Sequence, residues 1–351
     1  MKRAAIFAFT TAMAFVAPAH AVDRPPQFVA IAFDNCTELE RWQELSDLAA
    51  ELNKDGERLH FTFFVSGINY LADDKRGAYE GPHQRRGASN INFGGSAADV
   101  EKRVSFINDL RARGHEIASH AVGHFDGRGW SAADWRQEFA SYANLVDNLV
   151  SINGFPETAK LAFASSAIVG FRAPYLSTSP GLYDVLRERG FRYDTSRTGD
   201  PSLWPEKKDG LWRFNLGELK LHRSKRSTLS MDYNFFIVQS FGLDHSTTRA
   251  QHRDEMLETY IDYFKANYSG NRAPIHIGHH FFNYHGGAYN QALFAFARAV
   301  CGLPEVRCAS YAELADFMDK LDPATLEAYR KGDFERRAAP AIDISSAFAK
   351  P

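Results

Sequence analysis

Short apolar runs alternate with longer segments of helical period along most of the chain. Residues 28–33 form an uninterrupted apolar run, which is typical of a strand that is covered on both faces. Further strands are predicted at the other short apolar, β-rich runs, which are residues 59–65, 116–119, 167–171, 191–194 and 274–279.

Amphipathic helices are predicted between these strands. Thr37 and Glu40 have the spacing of a capping box and predict the start of the first helix, whereas Ser131 predicts the start of another. About seven β-then-α units in succession favour a parallel sheet, and at this length they predict a single-domain α/β fold, a closed or distorted β/α barrel. Apolar residues repeat at three and four positions in the remaining predicted helices, at 100–110, 180–189, 253–267, 291–300 and 310–321.

Two long segments interrupt the alternation. Residues 72–96 are polar and rich in glycine, and residues 204–243 mix tryptophan, phenylalanine and basic residues without a clean period. Long irregular segments of a compact domain are commonly functional, so we expect them to be either walls of a substrate cleft or surface loops. The domain is predicted over residues 22–322, and residues 323–351 are expected to form a helix and a loose tail.

The segment at 1–21 has the order of a secretory signal peptide. Two basic residues precede an apolar run at 4–17, and Ala19 and Ala21 form a small-x-small cleavage site. We therefore expect export to the periplasm or out of the cell. No other apolar stretch approaches the roughly 18 residues that a membrane-spanning helix needs, so no span is expected in the mature chain.

Composition and cysteine usage narrow the function classes. The chain has 351 residues with 41 Lys and Arg against 43 Asp and Glu, and this balance excludes the basic footprint of a nucleic-acid-binding protein. The spacing of Cys301 and Cys308 around a glycine and a proline favours a disulfide in an exported protein, with two reduced thiols as the alternative. Cys36 is left over, and no feature indicates an oligomeric state.

Histidine placement gives the first indication of chemistry. His120 and His124 are four positions apart just beyond the strand predicted at 116–119, where a loop can direct both imidazoles at one ion. Two polar loop residues are the alternative for such a pair taken alone. Asp34 and Asn35 end the opening strand and lie at the same end of the sheet, where they can supply a metal ligand or a general base.

Two later strands also end in polar side chains. Arg172 ends the fourth predicted strand, before a rigid Ala-Pro-Tyr turn. His279 and His280 end the last predicted strand, and strand alternation sends them to opposite faces. One of these two histidines should therefore face the mouth of the barrel.

Three motifs in this order resemble those of the polysaccharide deacetylases of carbohydrate esterase family 4, which are built on the NodB-homology domain. Residues 32–35 match Thr-Phe-Asp-Asp with Ala-Phe-Asp-Asn, residues 120–124 match His-x-x-x-His, and residues 172–175 match Arg-x-Pro-Tyr. The likeness runs with gaps from about Phe28 to Phe317. Three shorter stretches resemble the chitin-deacetylase-like branch of arthropods, at residues 61–66, 193–196 and 203–205.

The resemblance implies a distorted (β/α)7-type barrel and a divalent ion, most often zinc, held by an Asp-His-His triad. Carried over by position, His120 and His124 are metal ligands and Asp34 is the general base. Asn35 stands where the triad has its aspartate. Because an amide oxygen can coordinate but brings no charge, the site should hold the ion less tightly, with Asp34 either waiting as base or binding the metal itself.

The resemblance also assigns the remaining roles. His279 is the general acid when Ile277 and His279 are matched to the Leu-x-His motif of the family, and His280 is the alternative. It assigns the backbone N–H of Tyr175 to binding of the oxyanion. It assigns Asp194, or alternatively Asp232, as the carboxylate partner of Arg172. Trp204 is assigned to the wall of the acetyl pocket, with an ordinary packed aromatic as the alternative.

The sequence thus predicts a metal-dependent hydrolase that removes N-acetyl groups from an amino-sugar glycan of the chitin or peptidoglycan type and releases acetate. An O-acetyl esterase, of the acetyl-xylan kind, would use the same residues on an oxygen leaving group. A non-catalytic carbohydrate-binding relative is the third reading, because of Asn35. Activity is favoured because the base, both histidine ligands and an acid candidate are all present.

Overall fold

The computed structural model of the protein describes residues 22–342 and residue 344, so the expected signal peptide and the end of the expected tail lie outside the described residues. The strands are β1 Gln27–Asp34, β2 Thr62–Val65, β3 Glu116–Ser119, β4 Gly170–Phe171, β5 Tyr193–Gly199, β6 Glu206–Lys208, β7 Leu211–Lys220, β8 Ser227–Leu229, β9 Ile275–His280 and β10 Val306–Cys308. The helices are α1 Leu39–Asn53, α2 Ala97–Ala112, α3 Ala132–Asp147, α4 Leu149–Asn153, α5 Pro180–Glu188, α6 Asp232–Ser240, α7 Arg249–Ser269, α8 Ala288–Val300, α9 Tyr311–Asp319 and α10 Pro323–Lys331.

Seven of these strands form a parallel sheet that curls into a barrel. β1, β2, β3, β4, β5 and β7 are hydrogen-bonded in that order, and β9 pairs with the other edge of β1. Between β7 and β9, Ser230 bridges the two strands by hydrogen bonds. The Ser230 carbonyl accepts from the Gly278 N–H at 2.9 Å, and the Ser230 hydroxyl accepts from the Gly217 N–H at 2.9 Å. The predicted (β/α)7-type barrel is confirmed.

The opening strand shows how the sequence builds two apolar layers. Every residue of β1 is buried, as the uninterrupted apolar run predicts. Alternate residues point to opposite faces of a strand, so the two halves of β1 pack differently. Val29, Ile31 and Phe33 pack beneath the surrounding helices. The other half of β1, which is Phe28, Ala30 and Ala32, faces the barrel interior. There it packs with the aromatic residues Phe64, Tyr193, Phe214 and Tyr311.

The structure corrects several local predictions. The predicted capping box at Thr37 is wrong, because α1 starts at Leu39 after Glu38 without a side-chain cap. Ser131 does cap α3 through a capping box with Asp134. The segment at 204–243 contains β6, β7, β8 and α6, so it is not a loop, and it supplies the barrel strand β7.

The structure places the three cysteines and the last described helix. Cys301 and Cys308 form a disulfide, with their Cα atoms 5.6 Å apart, and Cys36 is a buried free thiol. Among the described residues, no helix combines the length and apolar character needed to cross a membrane. The helix expected after residue 323 is α10.

Candidate active site

Four of the predicted site residues lie at the carboxyl ends of strands. Asp34 is the last residue of β1 and His280 is the last residue of β9, and the parallel ladder pairs these two directly. His120 follows the end of β3, and Arg172 follows the end of β4. Because the strands are parallel, all four residues reach the same mouth of the barrel.

Asp34 and Arg172 form a buried ion pair. Nη1 of Arg172 donates to Oδ1 of Asp34 at 2.8 Å, and their side chains are 0% and 3% exposed respectively. Nε of Arg172 donates to Oγ1 of Thr195 at 2.8 Å, and the guanidinium lies 4.3 Å from the ring centroid of Phe64. Burial alone lowers the pKa of Arg172, but the electrostatic attraction of Asp34 and Tyr311 together with the hydrogen bond to Asp34 outweighs burial and raises that pKa. The charged hydrogen bond fixes the orientation of the carboxylate.

His120 and His124 form the second part of the site. Their ring centroids are 5.1 Å apart, and Nδ1 of His120 donates to the backbone carbonyl of Arg172 at 2.8 Å. Burial lowers the pKa of His120, and burial together with His120 lowers the pKa of His124 to about 3. Both imidazoles are therefore neutral at pH 7, and the hydrogen bond at Nδ1 of His120 leaves the Nε2 lone pair available to a metal.

Unpaired polar atoms indicate the donor set that a metal would meet. Oδ1 of Asn35 and Nδ1 of His124 are buried without a hydrogen-bond partner. Asn35 has a φ of 52°, in the left-handed region that asparagine tolerates better than most residues. Over residues 22–342 and 344, no three His, Cys, Asp or Glu side chains are grouped as metal ligands. The residues therefore fit a divalent ion through two neutral imidazoles and one amide oxygen, a weaker set than one with a carboxylate ligand.

Asp232 and His280 form the third part of the site. Nδ1 of His280 donates to Oδ1 of Asp232 at 2.6 Å, and the His280 N–H donates to Oδ2 at 2.9 Å. Burial by itself lowers the pKa of His280, but the charge of Asp232, the hydrogen bond to Asp232 and the charge of Asp34 together outweigh burial and raise that pKa. The side chain of His280 is 14% exposed, so a protonated His280 can reach a bound molecule.

The expectation that His279 faces the mouth is wrong. Its side chain is 0% exposed, its Nε2 lies 3.0 Å from the Tyr260 hydroxyl, and burial lowers its pKa to about 4. The strand alternates as predicted, but the face that packs under the helices is the one with Ile275, Ile277 and His279. His276, on the opposite face with His280, stacks on Tyr311 inside the barrel.

Comparisons with known proteins bear on this arrangement. No family model matches the chain. Chitin deacetylase 8 of Bombyx mori is 25% identical over 244 residues, which are 64% of this chain and 60% of that protein. Chitin deacetylase 1 of Bombyx mori is 30% identical over 109 residues, which are 29% of this chain and 18% of that protein. A solved Mycobacterium smegmatis structure, named as a polysaccharide deacetylase, aligns with a TM-score of 0.53 and 18% identity over 88% of this chain and 96% of its own.

The resemblance to the family 4 polysaccharide deacetylases is confirmed. At 18% identity the solved structure establishes the barrel fold alone. The matched regions span less than two thirds of the two curated chitin deacetylases, at 60% and 18% of their lengths.

Asp194 does not contact Arg172 in this deacetylase-like barrel, so that expected pair is wrong. The Asp194 carboxylate accepts from the Ser196 hydroxyl, and the Ser196 oxygen accepts from the Ala173 N–H at 2.8 Å. Asp194 therefore supports the turn that follows Arg172 and not the guanidinium itself. The alternative partner, Asp232, binds the acid candidate instead.

Trp204 lies at the other end of the barrel, and the expected acetyl-pocket wall is wrong. Its Nε1 donates to the carbonyl of Asn271, which precedes the start of β9, whereas the site residues follow strand ends. Its ring packs 5.2 Å from that of Tyr329. Tyr175 does border the site, since its ring centroid is 4.7 Å from that of His124 and the residue is 56% exposed.

Glu138 is a buried residue of the site that the sequence reading missed. It lies on α3 at 0% exposure, and its Oε1 accepts from the backbone N–H groups of Val122 at 2.8 Å and Gly123 at 3.3 Å. Its Oε2 accepts from the Tyr79 hydroxyl at 2.8 Å. Glu138 thus ties down the loop between the two histidines. A glutamate on the apolar face of a predicted amphipathic helix is the signal that could have revealed it.

The glycine-rich segment at 72–96 reaches the same loop. The N–H of Asn90 donates to the carbonyl of Gly123 at 3.0 Å. The segment also lines a cleft of about 700 Å³, whose other wall includes Thr37 and Arg103. The N–H of Thr37 donates to the carbonyl of Asn35 at 2.8 Å, which ties this wall of the cleft to the turn after β1.

Proposed function

We propose that the protein is a deacetylase that hydrolyses N-acetyl groups of an amino-sugar glycan and releases acetate. The single observation that carries the proposal is the meeting of three pairs at one barrel mouth: Asp34 with Arg172, His120 with His124, and His280 with Asp232. Together they supply a base, a pair of neutral ligands and an acid, which is the set that metal-assisted hydrolysis requires. The named activity of the Bombyx mori relatives supports the same reading.

Asp34 is the proposed general base. A water oxygen attacks the acetyl carbonyl carbon while the Asp34 carboxylate accepts one proton of that water. Arg172 holds the carboxylate in one orientation, so little reorganisation is needed when the proton moves. The new C–O bond converts the planar carbonyl into a tetrahedral oxyanion.

Two groups complete the proposed reaction. The backbone N–H of Tyr175 donates a hydrogen bond to the oxyanion, at a residue held in the left-handed region with a φ of 55°. His280 donates its Nε2 proton to the sugar nitrogen as the C–N bond breaks, and Asp232 stabilises the imidazolium before transfer. Acetate and a free amine leave, Asp34 releases its proton to solvent and His280 is protonated again.

His120, His124 and Asn35 are the residues that would hold a divalent ion, with zinc proposed because imidazole suits it. When bound, such an ion supplies Lewis acidity to the carbonyl and lowers the pKa of a coordinated water. The hydrogen bond of His120 to the Arg172 carbonyl fixes which ring nitrogen is free to coordinate.

We also propose that the protein is exported. The basic, apolar and small-residue order of residues 1–21 is that of a signal peptide. The disulfide between Cys301 and Cys308 supports an oxidising compartment, because such bonds are rare in the reducing cytosol. Fractionation of cells that produce the full chain tests this, and retention of the uncleaved chain in the cytosol would contradict it.

The substrate class is tested by acetate release from paired substrates. Protein stripped with a chelator and refilled with zinc should release acetate from N-acetylated chitooligosaccharides faster than from acetylated xylan, and the chelated sample should release none. Faster release from xylan would identify an O-acetyl esterase. No release from any acetylated glycan at full zinc occupancy would identify a non-catalytic relative.

A further inference from the structure

Exposed apolar side chains are concentrated on one face of the molecule. Among the described residues, seven large apolar side chains are exposed, and five of these lie on or beside α6. A soluble protein seldom leaves such a group in water unless the surface binds something. We call this group the α6 surface, and it comprises Tyr233, Ile237, Phe241, Leu243 and Phe282.

The α6 surface adjoins the candidate acid. The N–H of Tyr233 donates to Oδ1 of Asp232 at 2.7 Å, the carboxylate that also holds His280. The ring centroid of Tyr233 lies 6.4 Å from that of His280. Tyr233 is 45% exposed, so a molecule that reaches His280 from this side must pass over its ring.

Half-buried aromatics hold the exposed rings in place. Tyr284 lies 5.9 Å from Tyr233 and stacks on Phe282 with centroids 5.6 Å apart, and it also stacks on Phe236 of α6 at 5.0 Å. Phe282 itself is 47% exposed. Rings fixed in this way lose little conformational freedom when a ligand binds, which favours affinity.

We propose that Tyr233 and Phe282 bind sugar rings of the glycan next to the residue being deacetylated, an inference that rests on the proposed function for the identity of the ligand. A pyranose ring presents C–H groups on its faces, and these groups stack on the negative face of an aromatic ring. The rings of this surface are linked to His280 through Asp232 and Tyr284, so a ligand bound there lies beside the proposed acid. This location favours a glycan over a lipid or a second protein, because neither of those needs to bind next to the acid.

The α6 surface extends along the helix away from His280. Ile237 follows Tyr233 at an interval of four, so these two side chains share one face of α6, and Phe241 ends the helix as its C-cap in the left-handed conformation. Ile237 is 38% exposed and Phe241 is 82% exposed. A ligand that follows this face extends beyond one sugar, so affinity should rise with the length of the oligosaccharide.

The test is calorimetric binding of chitooligosaccharides of increasing length to the full zinc-loaded protein and to its variants. Tyr233→Ala and Phe282→Ala should each weaken binding of the long oligosaccharide by roughly tenfold, the change expected for loss of one aromatic stacking partner. Tyr233→Phe should keep wild-type affinity. Leu203→Ala is the matched control, because Leu203 is 55% exposed and lies next to Trp204 at the other end of the barrel.

Binding and acetate release separate this inference from the proposed reaction. Loss of affinity in both alanine variants supports the α6 surface even when the wild type releases no acetate, in which case only the reaction is wrong. Affinity that stays within twofold of wild type in both folded variants, checked by circular dichroism, overturns the inference. The inference is also overturned if the alanine variants change only the oligomeric state in light scattering, or only the binding of phosphatidylcholine vesicles. A second copy of the chain or a membrane would then be the occupant of this face.

Discussion

Asp232, the first residue of α6, accepts hydrogen bonds from both the imidazole ring and the backbone N–H of His280, which lies 48 positions later in the chain. Burial alone raises the pKa of Asp232, but the electrostatic interactions with His280 and His279 and the hydrogen bonds from His280 together outweigh burial and lower that pKa. The pair therefore keeps a proton on the imidazole at a pH where an isolated buried histidine would be neutral. Its placement in a segment without a clear sequence period explains why the pairing was not predicted.

Removing the Asp232 charge should move the pH dependence of the reaction. His280 donates a proton in the proposed mechanism, so activity is lost as pH rises through its pKa, which Asp232 raises. Asp232→Asn should shift the alkaline limb of kcat/KM to lower pH. Asp262→Asn is the control, because it removes a similar histidine partner, that of His222, on the surface. An alkaline limb that stays in place would show that His280 is not the acid.

Restoring a carboxylate at position 35 should tighten metal binding. Asn35→Asp keeps the size of the side chain and tolerates the left-handed backbone, and it adds a charge to two neutral imidazoles. Zinc affinity, measured by competition with a chelator, should rise by roughly tenfold or more. Asn144→Asp adds the same charge on the exposed face of α3 and should leave the affinity unchanged. Equal affinities in the wild type and Asn35→Asp would place the ion away from Asn35.

Glu138 should support both the fold and the metal site. Glu138→Ala leaves two backbone N–H groups and the Tyr79 hydroxyl without their acceptor, at a cost of about 3 kcal/mol in the free energy of unfolding. Zinc affinity should fall by roughly tenfold to a hundredfold, as is usual when a supporting contact of a ligand is removed.

Glu138→Gln keeps one acceptor oxygen for the loop and should recover most of the zinc affinity. Gln137→Ala, on the exposed face of the same helix, is the control. Denaturant unfolding and chelator competition measure the two effects separately. A loss of stability without any loss of zinc affinity would limit Glu138 to a structural role.

Glu116 should make the stability of the protein depend on pH. It is buried, and burial raises its pKa from 4.5 to about 7. The folded state therefore binds more protons than the unfolded state between these values, and stability falls as pH rises through them. The loss should be on the order of 3 kcal/mol. Glu116→Gln should flatten this part of the profile in denaturant unfolding, whereas the exposed Glu157→Gln should not. The same slope in Glu116→Gln would assign it to another group.

The sequence predicted the barrel and the residues at its mouth because both follow from strand topology. An all-buried run predicts a central parallel strand, and consecutive parallel strands deliver their carboxyl ends to one edge. Asp34, His120 and Arg172 therefore meet although they are far apart in the chain.

What the sequence missed depends on packing between distant segments. Alternation separates His279 from His280, but which of the two faces the interior depends on how β9 sits against β1 and β7. The partner of Trp204 is likewise set by α10, which no local pattern reveals. The contact of Glu138 with the histidine loop crosses from α3 to the end of β3 in the same way.

Acetate release by the zinc-loaded protein and by Asp34→Asn, measured side by side on an N-acetylated chitooligosaccharide, tests the central claim most directly. The wild type should release acetate in proportion to the free amines formed. Asp34→Asn should bind zinc as the wild type does and lose at least about a hundredfold in rate, because it lacks the base. Asp47→Asn, on the exposed face of α1, should be fully active. Equal rates in the wild type and Asp34→Asn would contradict the account.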